Sequence, residues 1–130
     1  RGEVPVGAVI ADVQGRIVAA AGNEVETRHD PTAHAEMLVL RAAAESAGAP
    51  RLVDCDLYVT LEPCPMCASA AALARVRRVI YAAYDPKGGG VDHGPRIFAQ
   101  PTCHHRPEVV AGIQAARSES MLKEFFAARR

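Results

Sequence analysis

The sequence predicts an α/β domain built on a mixed β-sheet, and three observations support this. Residues 4–23 form two β-branched and apolar runs around Gly15, which is typical of a hairpin with a glycine-dependent turn. Short apolar runs at 57–60, 76–84 and 109–113 alternate with Ala- and Leu-rich helical segments. Alternating strands and helices predict a layered α/β fold, and the initial hairpin makes the sheet mixed.

Helix boundaries are marked by caps and breakers. The first predicted helix lies within residues 29–48, where Asp30 and Thr32 are candidate amino-terminal caps. Pro31 suits a first helical turn, and Gly48 is a typical stop.

The second predicted helix runs from Cys67 to Arg75. Pro63 and Pro65 can belong to it only in its first turn, because proline lacks an amide proton. Its amino end is therefore expected near Cys64. The apolar positions of a last helix recur at three- and four-residue spacing from about Ser118 on: Met121, Leu122, Phe125 and Phe126.

Bulk properties predict one cytoplasmic domain covering residues 1–130. No apolar run approaches the roughly 18 residues that cross a bilayer, and nothing resembles a signal peptide. Four cysteines are too few for a disulfide scaffold in a chain of this length. We therefore expect no association with a membrane.

The net charge is zero, from 15 basic and 15 acidic residues. The chain as a whole does not attract a polyanion, so any contact with nucleic acid must be local. Basic residues gather at Arg75, Arg77 and Arg78 and again at Arg129 and Arg130. Without a motif, such runs are usually solvent-facing.

Two pairs of potential metal ligands stand at predicted helix starts. Cys64 and Cys67 lie three positions apart and share one helix face, while His34 and Glu36 can converge beyond the tip of their helix. One His and two Cys make three zinc ligands. Structural zinc sites are closed by four protein ligands, whereas catalytic sites leave one position for water. The spacing therefore favours a catalytic site.

Two other interpretations of the cysteines stay open. They could form a redox pair, which would leave the His34-Ala35-Glu36 segment without a role. The zinc site could also be closed by a fourth ligand from elsewhere in the chain. The candidates for that ligand are Cys55, Cys103, His104 and His105.

Glu36 strengthens the catalytic interpretation. A carboxylate beside a metal-bound water can take its proton and return it later, which is typically worth about 10²- to 10⁴-fold in rate. An acidic residue at a helix start is more commonly a simple cap, but here it accompanies a complete set of three zinc ligands.

The pattern H-x-E followed by P-C-x-x-C is the signature of zinc-dependent deaminases. Four segments extend the match, and together they resemble the bacterial tRNA-specific adenosine deaminases of the cytidine/deoxycytidylate deaminase superfamily. These segments are VPVGAV at 4–9, RHDPTAHAEM at 28–37, LYVTLEPCPMC at 57–67 and KEFFAARR at 123–130.

The resemblance implies a three-layer α/β/α cytidine-deaminase-like fold with a central mixed five-stranded sheet, and a homodimer. It implies conversion of the wobble adenosine in the anticodon loop of an arginine tRNA to inosine. Glu36 would be the proton shuttle, and one Zn²⁺ per chain would have water as its fourth ligand. The implied zinc ligands are His34, Cys64 and Cys67, and the implied substrate contacts are Asn23, Leu61, Asp85, Lys87, Phe126, Arg129 and Arg130.

The sequence departs from the family at two places. The family helix expected ahead of residues 4–9 is absent from this sequence, which does not begin with Met, and we expect truncation there. Residues 85–108 belong to a region where members differ, so we expect Cys103, His104 and His105 to lie in a variable exposed loop.

Two other functions remain possible from the sequence. The first keeps the chemistry and changes the substrate to a free base, guanine or cytosine, because those deaminases share the signature. The second is a non-catalytic structural zinc module.

Overall fold

The structure, a computed structural model, describes residue 3 and residues 5–111. Five strands, three helices and one short 3₁₀ turn lie within these residues. They are β1 (Gly7–Asp12), β2 (Ile17–Gly22), α1 (Val25–Arg28), α2 (Ala35–Ala47), β3 (Cys55–Leu61), α3 (Pro65–Ala74), β4 (Arg78–Ala83), the 3₁₀ turn Ile97–Ala99 and β5 (Glu108–Ala111). The helix expected from about Ser118 lies outside the described residues.

The strands form one sheet in the order β2-β1-β3-β4-β5. β1 pairs antiparallel with β2 and β3, whereas β3, β4 and β5 run parallel. The predicted α/β class with a mixed five-stranded sheet is therefore confirmed. Because β3 and β4 are parallel neighbours, the segments that follow them emerge at the same edge of the sheet.

The hairpin between β1 and β2 depends on Gly15. Its φ of 83° lies in the left-handed region, which favours glycine. The register shifts from Ile10↔Ala19 to Ala11↔Ile17, so Val18 is an extra residue in β2. This β-bulge bends the edge strand of the sheet.

Side chains alternate between the two faces of the sheet. Ile10, Leu57, Val79 and Tyr81 point to the face covered by α2 and α3 and are at most 3% exposed. The opposite face is also buried. Its buried residues are Val9, Ala11, Tyr58 and Ile80.

The first helix begins later than predicted. α2 starts at Ala35 with His34 as its amino-terminal cap, so the prediction that Asp30 and Thr32 cap it was wrong. Asp30 instead closes its own turn, accepting hydrogen bonds from the backbone N–H and hydroxyl of Thr32 at 2.8 and 2.7 Å. Pro31 also precedes the helix. Gly48, with φ of 66°, ends α2 as predicted.

The second predicted helix, α3, starts at Pro65 with Cys64 as its cap, as the proline rule predicts. Pro63 lies ahead of the helix, and Arg75 is the carboxy-terminal cap with φ of 61°. No described helix is long and apolar enough to cross a membrane.

Arg77 and Arg78 are engaged in an internal ion cluster. Arg77 donates to Oδ1 and Oδ2 of Asp56 at 3.0 and 2.7 Å, and Arg78 donates to Oδ2 at 2.8 Å. Asp56 is 2% exposed. Burial opposes its ionisation, but the two guanidinium groups outweigh burial and lower the pKa of Asp56. This part of the basic run therefore joins β3 to β4.

Candidate active site

A cavity of about 330 Å³ opens at the edge of the sheet where β3 and β4 end. Its wall comes from segments flanking four strands and from the start of α2. This is where ligands bind in open α/β sheets. The lining residues are Glu3, Val6, Asn23, Val25, Glu26, His34, Glu36, Leu61, Glu62, Cys64, Asp85 and Gly88.

Three potential metal ligands converge at this cavity. Nδ1 of His34 lies 3.6 Å from Sγ of Cys64 and 3.5 Å from Sγ of Cys67. The three ligand atoms all lie within 4.8 Å of one another. The structure therefore brings together the His/Cys/Cys set that the sequence predicts.

The two helix starts produce this convergence. His34 and Cys64 are the amino-terminal caps of α2 and α3, and both have extended backbone, with ψ of 151° and 170°. Pro65 starts α3, and Cys67 follows in its first turn. Side chains at these positions point beyond the helix tip, where the backbone N–H groups also favour a thiolate.

The donor set fits a zinc ion in both chemistry and spacing. Tetrahedral zinc with Zn–S of about 2.3 Å and Zn–N of about 2.05 Å requires an S···N separation of about 3.6 Å. The observed separations are 3.5 and 3.6 Å. Among the described residues, no fourth His, Cys, Asp or Glu side chain joins the group.

The two thiols differ in pKa. A hydrogen bond from the Cys67 thiol, with help from the backbone N–H groups of Cys67 and Met66, lowers the pKa of Cys64 to about 5. Donation of that hydrogen bond, together with burial, raises the pKa of Cys67. One sulfur is therefore a thiolate at neutral pH, the form that binds metal.

Glu36 lies in the first turn of α2 and is 4% exposed. Burial raises the pKa of its carboxyl to about 7, and the neighbouring Cys64 thiolate adds to the increase. A group with this pKa can exchange protons in both directions at neutral pH.

The other predicted site residues are distributed unevenly. Asn23, Leu61 and Asp85 line the cavity, following β2, ending β3 and following β4 respectively. Lys87 is exposed and is not part of the cavity wall. The remaining predicted contacts lie outside the described residues: Phe126, Arg129 and Arg130.

The alternative ligands are engaged elsewhere. Cys103 donates to the carbonyl of His105 at 3.1 Å, and Nε2 of His105 lies 2.7 Å from the carbonyl oxygen of Val76. His104 is exposed. None of these residues, nor Cys55, belongs to the described metal group, so a closed four-ligand site is not formed from them. Cys64 and Cys67 both lie close to Nδ1 of His34, whereas a redox pair consists of two cysteines alone.

Glu62 is a buried residue of this site that the sequence analysis did not single out. It is 2% exposed and follows β3 directly. Burial opposes its ionisation, but hydrogen bonds from Asp85, His93 and their neighbours outweigh burial and lower its pKa. The only local signal is an acidic residue between a buried strand and a Pro-Cys pair, and that signal does not identify the donors.

Residues 1–83 match the family model of the cytidine and deoxycytidylate deaminase zinc-binding region. The His/Cys/Cys group and Glu36 lie inside this match, and the chain belongs to the class of zinc-binding deaminases.

Comparison with individual relatives identifies a more specific family within the deaminases. The tRNA-specific adenosine deaminase of Agrobacterium fabrum is 52% identical over 130 residues, covering 100% of this chain and 85% of the relative. That of Bacillus subtilis is 45% identical over 126 residues, covering 97% of this chain and 78% of the relative. The chain belongs to the family of tRNA-specific adenosine deaminases.

A solved structure agrees with this assignment. It comes from a study of A-to-I editing by deaminases that act at the wobble position of transfer RNA. It superposes with a TM-score of 0.80 at 54% identity, over 82% of both chains. Membership in an enzyme family favours catalysis over a structural zinc module.

Proposed function

We propose that this protein converts adenosine to inosine at the wobble position of a tRNA anticodon, with Glu36 as its acid-base catalyst. The observation that carries the proposal is one buried carboxylate beside three converging zinc ligands in a cavity open to solvent. The family relatives support tRNA as the substrate, and an arginine tRNA is the specific expectation.

His34, Cys64 and Cys67 would hold one zinc ion, and water would take the fourth position. When bound there, zinc supplies a Lewis acid that brings the pKa of water near 7. His34 and Cys64 belong to the cavity wall, so a substrate in the cavity would have access to the metal-binding residues. Substrate and water can therefore reach the same place.

Glu36 moves the protons. Its carboxylate accepts a proton from the attacking water and delivers it to N1 of the adenine. It then takes the second proton from the new hydroxyl at C6 and passes it to the amine, which leaves as the C6–N bond breaks. One water is consumed and one ammonia leaves. A pKa of about 7 suits a group that must both accept and donate.

The charge of the cavity wall supports entry of a base without its phosphates. Glu3, Glu26, Glu36 and Asp85 line it, together with the buried Glu62, and among residues 5–111 no Lys or Arg does. A volume of about 330 Å³ lies at the small end of the usual range for ligand cavities, about 300 to 1,000 Å³. An adenine flipped out of the anticodon loop is uncharged and small enough for this cavity, and the RNA phosphates stay outside it.

The proposed substrate contacts fall into two groups, residues that line the cavity and residues outside it. Asn23, Leu61 and Asp85 would contact the flipped nucleoside, since all three line the cavity. Lys87 is exposed beside it and would contact the RNA backbone. The family resemblance adds three further proposed substrate contacts, Phe126, Arg129 and Arg130. A homodimer in the cytoplasm is proposed on the same resemblance.

A substrate panel tests the function. The purified protein is offered an anticodon stem-loop RNA with adenosine at the wobble position, free adenosine, guanine and cytosine. Inosine in the RNA alone is the expected product. Xanthine or uracil would instead establish a free-base deaminase. The Glu36→Gln protein is the control for contaminating activity.

Metal substitution tests the open site separately. Cobalt in place of zinc reports coordination through its visible spectrum. The spectrum should change when an inhibitor that binds metal is added, because one position is open to water. An unchanged spectrum would indicate a site closed by four protein ligands.

A further inference from the structure

Glu62 is surrounded by donors from one segment of the chain. Oε2 accepts the backbone N–H groups of Val91, Asp92 and His93 at 3.1, 2.9 and 3.1 Å. Oε1 accepts the backbone N–H of Asp85 at 3.0 Å and lies 2.8 Å from Nδ1 of His93. One carboxylate therefore gathers donors from both ends of residues 85–93.

The same segment lies directly on Glu62 and on the start of α3. A Cβ at Gly89 would collide with the carboxyl group of Glu62, and a Cβ at Gly90 would lie 2.6 Å from the backbone N of Pro65. The backbone N–H of Gly90 donates to the carbonyl of Pro63 at 2.8 Å. Only glycine permits this approach.

Two further contacts hold the carboxy-terminal end of the segment, at Asp92 and His93. The Tyr81 hydroxyl donates to the Asp92 carboxylate. The rings of Tyr84 and His93 meet edge to face, with centroids 5.7 Å apart. Residues 85–93 are thus fixed to β4 as well as to Glu62.

The amino-terminal part of the segment faces the cavity. Asp85 and Gly88 belong to the cavity wall, next to the zinc ligand Cys64. Oδ1 of Asp85 accepts the backbone N–H groups of Lys87 and Gly88 at 3.2 and 3.0 Å, which sets the turn. The Asp85 N–H, held by Glu62, is the point where this turn is attached to the buried side of the site.

We propose that Glu62 is a positioning residue that sets residues 85–93 in place as the substrate-facing wall of the cavity. Although Glu62 belongs to the cavity wall, both of its carboxylate oxygens are occupied by donors of this segment, and it acts through Asp85 and Gly88. The proposal rests on the proposed function for its substrate. It assigns Glu62 to substrate binding rather than to zinc binding or proton transfer.

The experiment compares Glu62→Gln with Asp56→Asn. The Gln side chain keeps the shape but turns one oxygen into a donor, so at least one backbone N–H of the segment loses its acceptor. Asp56 is the matched control, because it is an equally buried carboxylate of β3 that binds Arg77 and Arg78 outside the cavity. Both proteins are assayed for zinc content and for kcat and KM on the stem-loop RNA.

Glu62→Gln should keep its zinc and its kcat within about twofold while KM rises about tenfold, the effect of one lost hydrogen bond to a charged group. Asp56→Asn should leave KM unchanged. Loss of zinc, a fall in kcat at constant KM, or an equal KM increase in both variants would overturn the assignment.

Amide hydrogen exchange tests, without any substrate, whether Glu62 positions residues 85–93. The amides of Asp85, Val91, Asp92 and His93 should exchange at least about tenfold faster in Glu62→Gln, with β1 unchanged. Unchanged exchange would refute the proposal even in an active enzyme, and faster exchange would support the positioning even if another substrate replaced tRNA. Gly89→Ala, whose added Cβ would collide with Glu62 and push the segment away from it, should give the same exchange pattern and KM increase.

Discussion

The start of α2 and the segment after β3 each bury a glutamate at the same edge of the sheet. Glu36 is 4% exposed and Glu62 is 2% exposed. Burial raises the pKa of Glu36 to about 7. Around Glu62, by contrast, backbone N–H groups and His93 outweigh burial and lower its pKa.

The difference shows that burial alone does not decide the charge of a buried carboxylate, because enough hydrogen-bond donors can outweigh it. Glu62 is saturated with donors from residues 85–93 and remains an anion that organises structure. Glu36 has fewer donors, its own backbone N–H and the Cys67 thiol, and burial outweighs them, so it can change its protonation state as a proton shuttle must.

Cys67→Ser should have the largest effect and separate the two regions. Replacing a thiolate ligand is expected to abolish zinc binding and to reduce turnover to background, because two protein ligands hold the metal poorly. Exchange of the amides that bind Glu62 should stay unchanged. Metal analysis and hydrogen exchange check both parts, and full zinc content would indicate a different ligand set.

Glu36→Gln should lower kcat by about 10²- to 10⁴-fold, because the amide cannot carry the proton. Zinc content should stay near one ion per chain, since Glu36 is not among the three ligands. Single-turnover rates and metal analysis provide the measurement. A variant with full turnover would remove Glu36 from its proposed role.

Asp56→Asn should lower the free energy of unfolding by about 1 to 2 kcal/mol at pH 7, because its arginine partners are partly exposed. The folded pKa of Asp56 is lowered, so its contribution is present above the unfolded pKa of about 4 and disappears as pH falls through the folded pKa. Denaturation from pH 7 to 3 should therefore show the two proteins converging. A constant difference would contradict the ion cluster.

Lys87→Ala should have the smallest effect. Its side chain is exposed and would make one contact to the RNA backbone, so affinity for the stem-loop should fall less than about tenfold. The slope of log K against log salt should decrease by about 1. Binding measured at several salt concentrations checks this, with Arg16→Ala on the hairpin as control. An unchanged slope would place Lys87 outside the interface.

Local geometry made much of this protein predictable from its sequence. The three-residue spacing of Cys64 and Cys67 and the proline at position 65 determine one helix start, because turn geometry depends on neighbours in the chain. The zinc ligands, Glu36 and the mixed sheet follow from such patterns, as does the end of α2 at Gly48.

Tertiary structure decided the features whose partners lie far apart in sequence. The start of α2 at Ala35 is a local exception, because Asp30 and Thr32 lie two residues apart and satisfy each other in a turn of their own. The donors of Glu62 lie 23 to 31 residues downstream and reach it because parallel pairing of β3 and β4 places both segments at one edge. Residue types and spacings determined the chemistry of the site, whereas the pairing of strands decided which buried carboxylate keeps its charge.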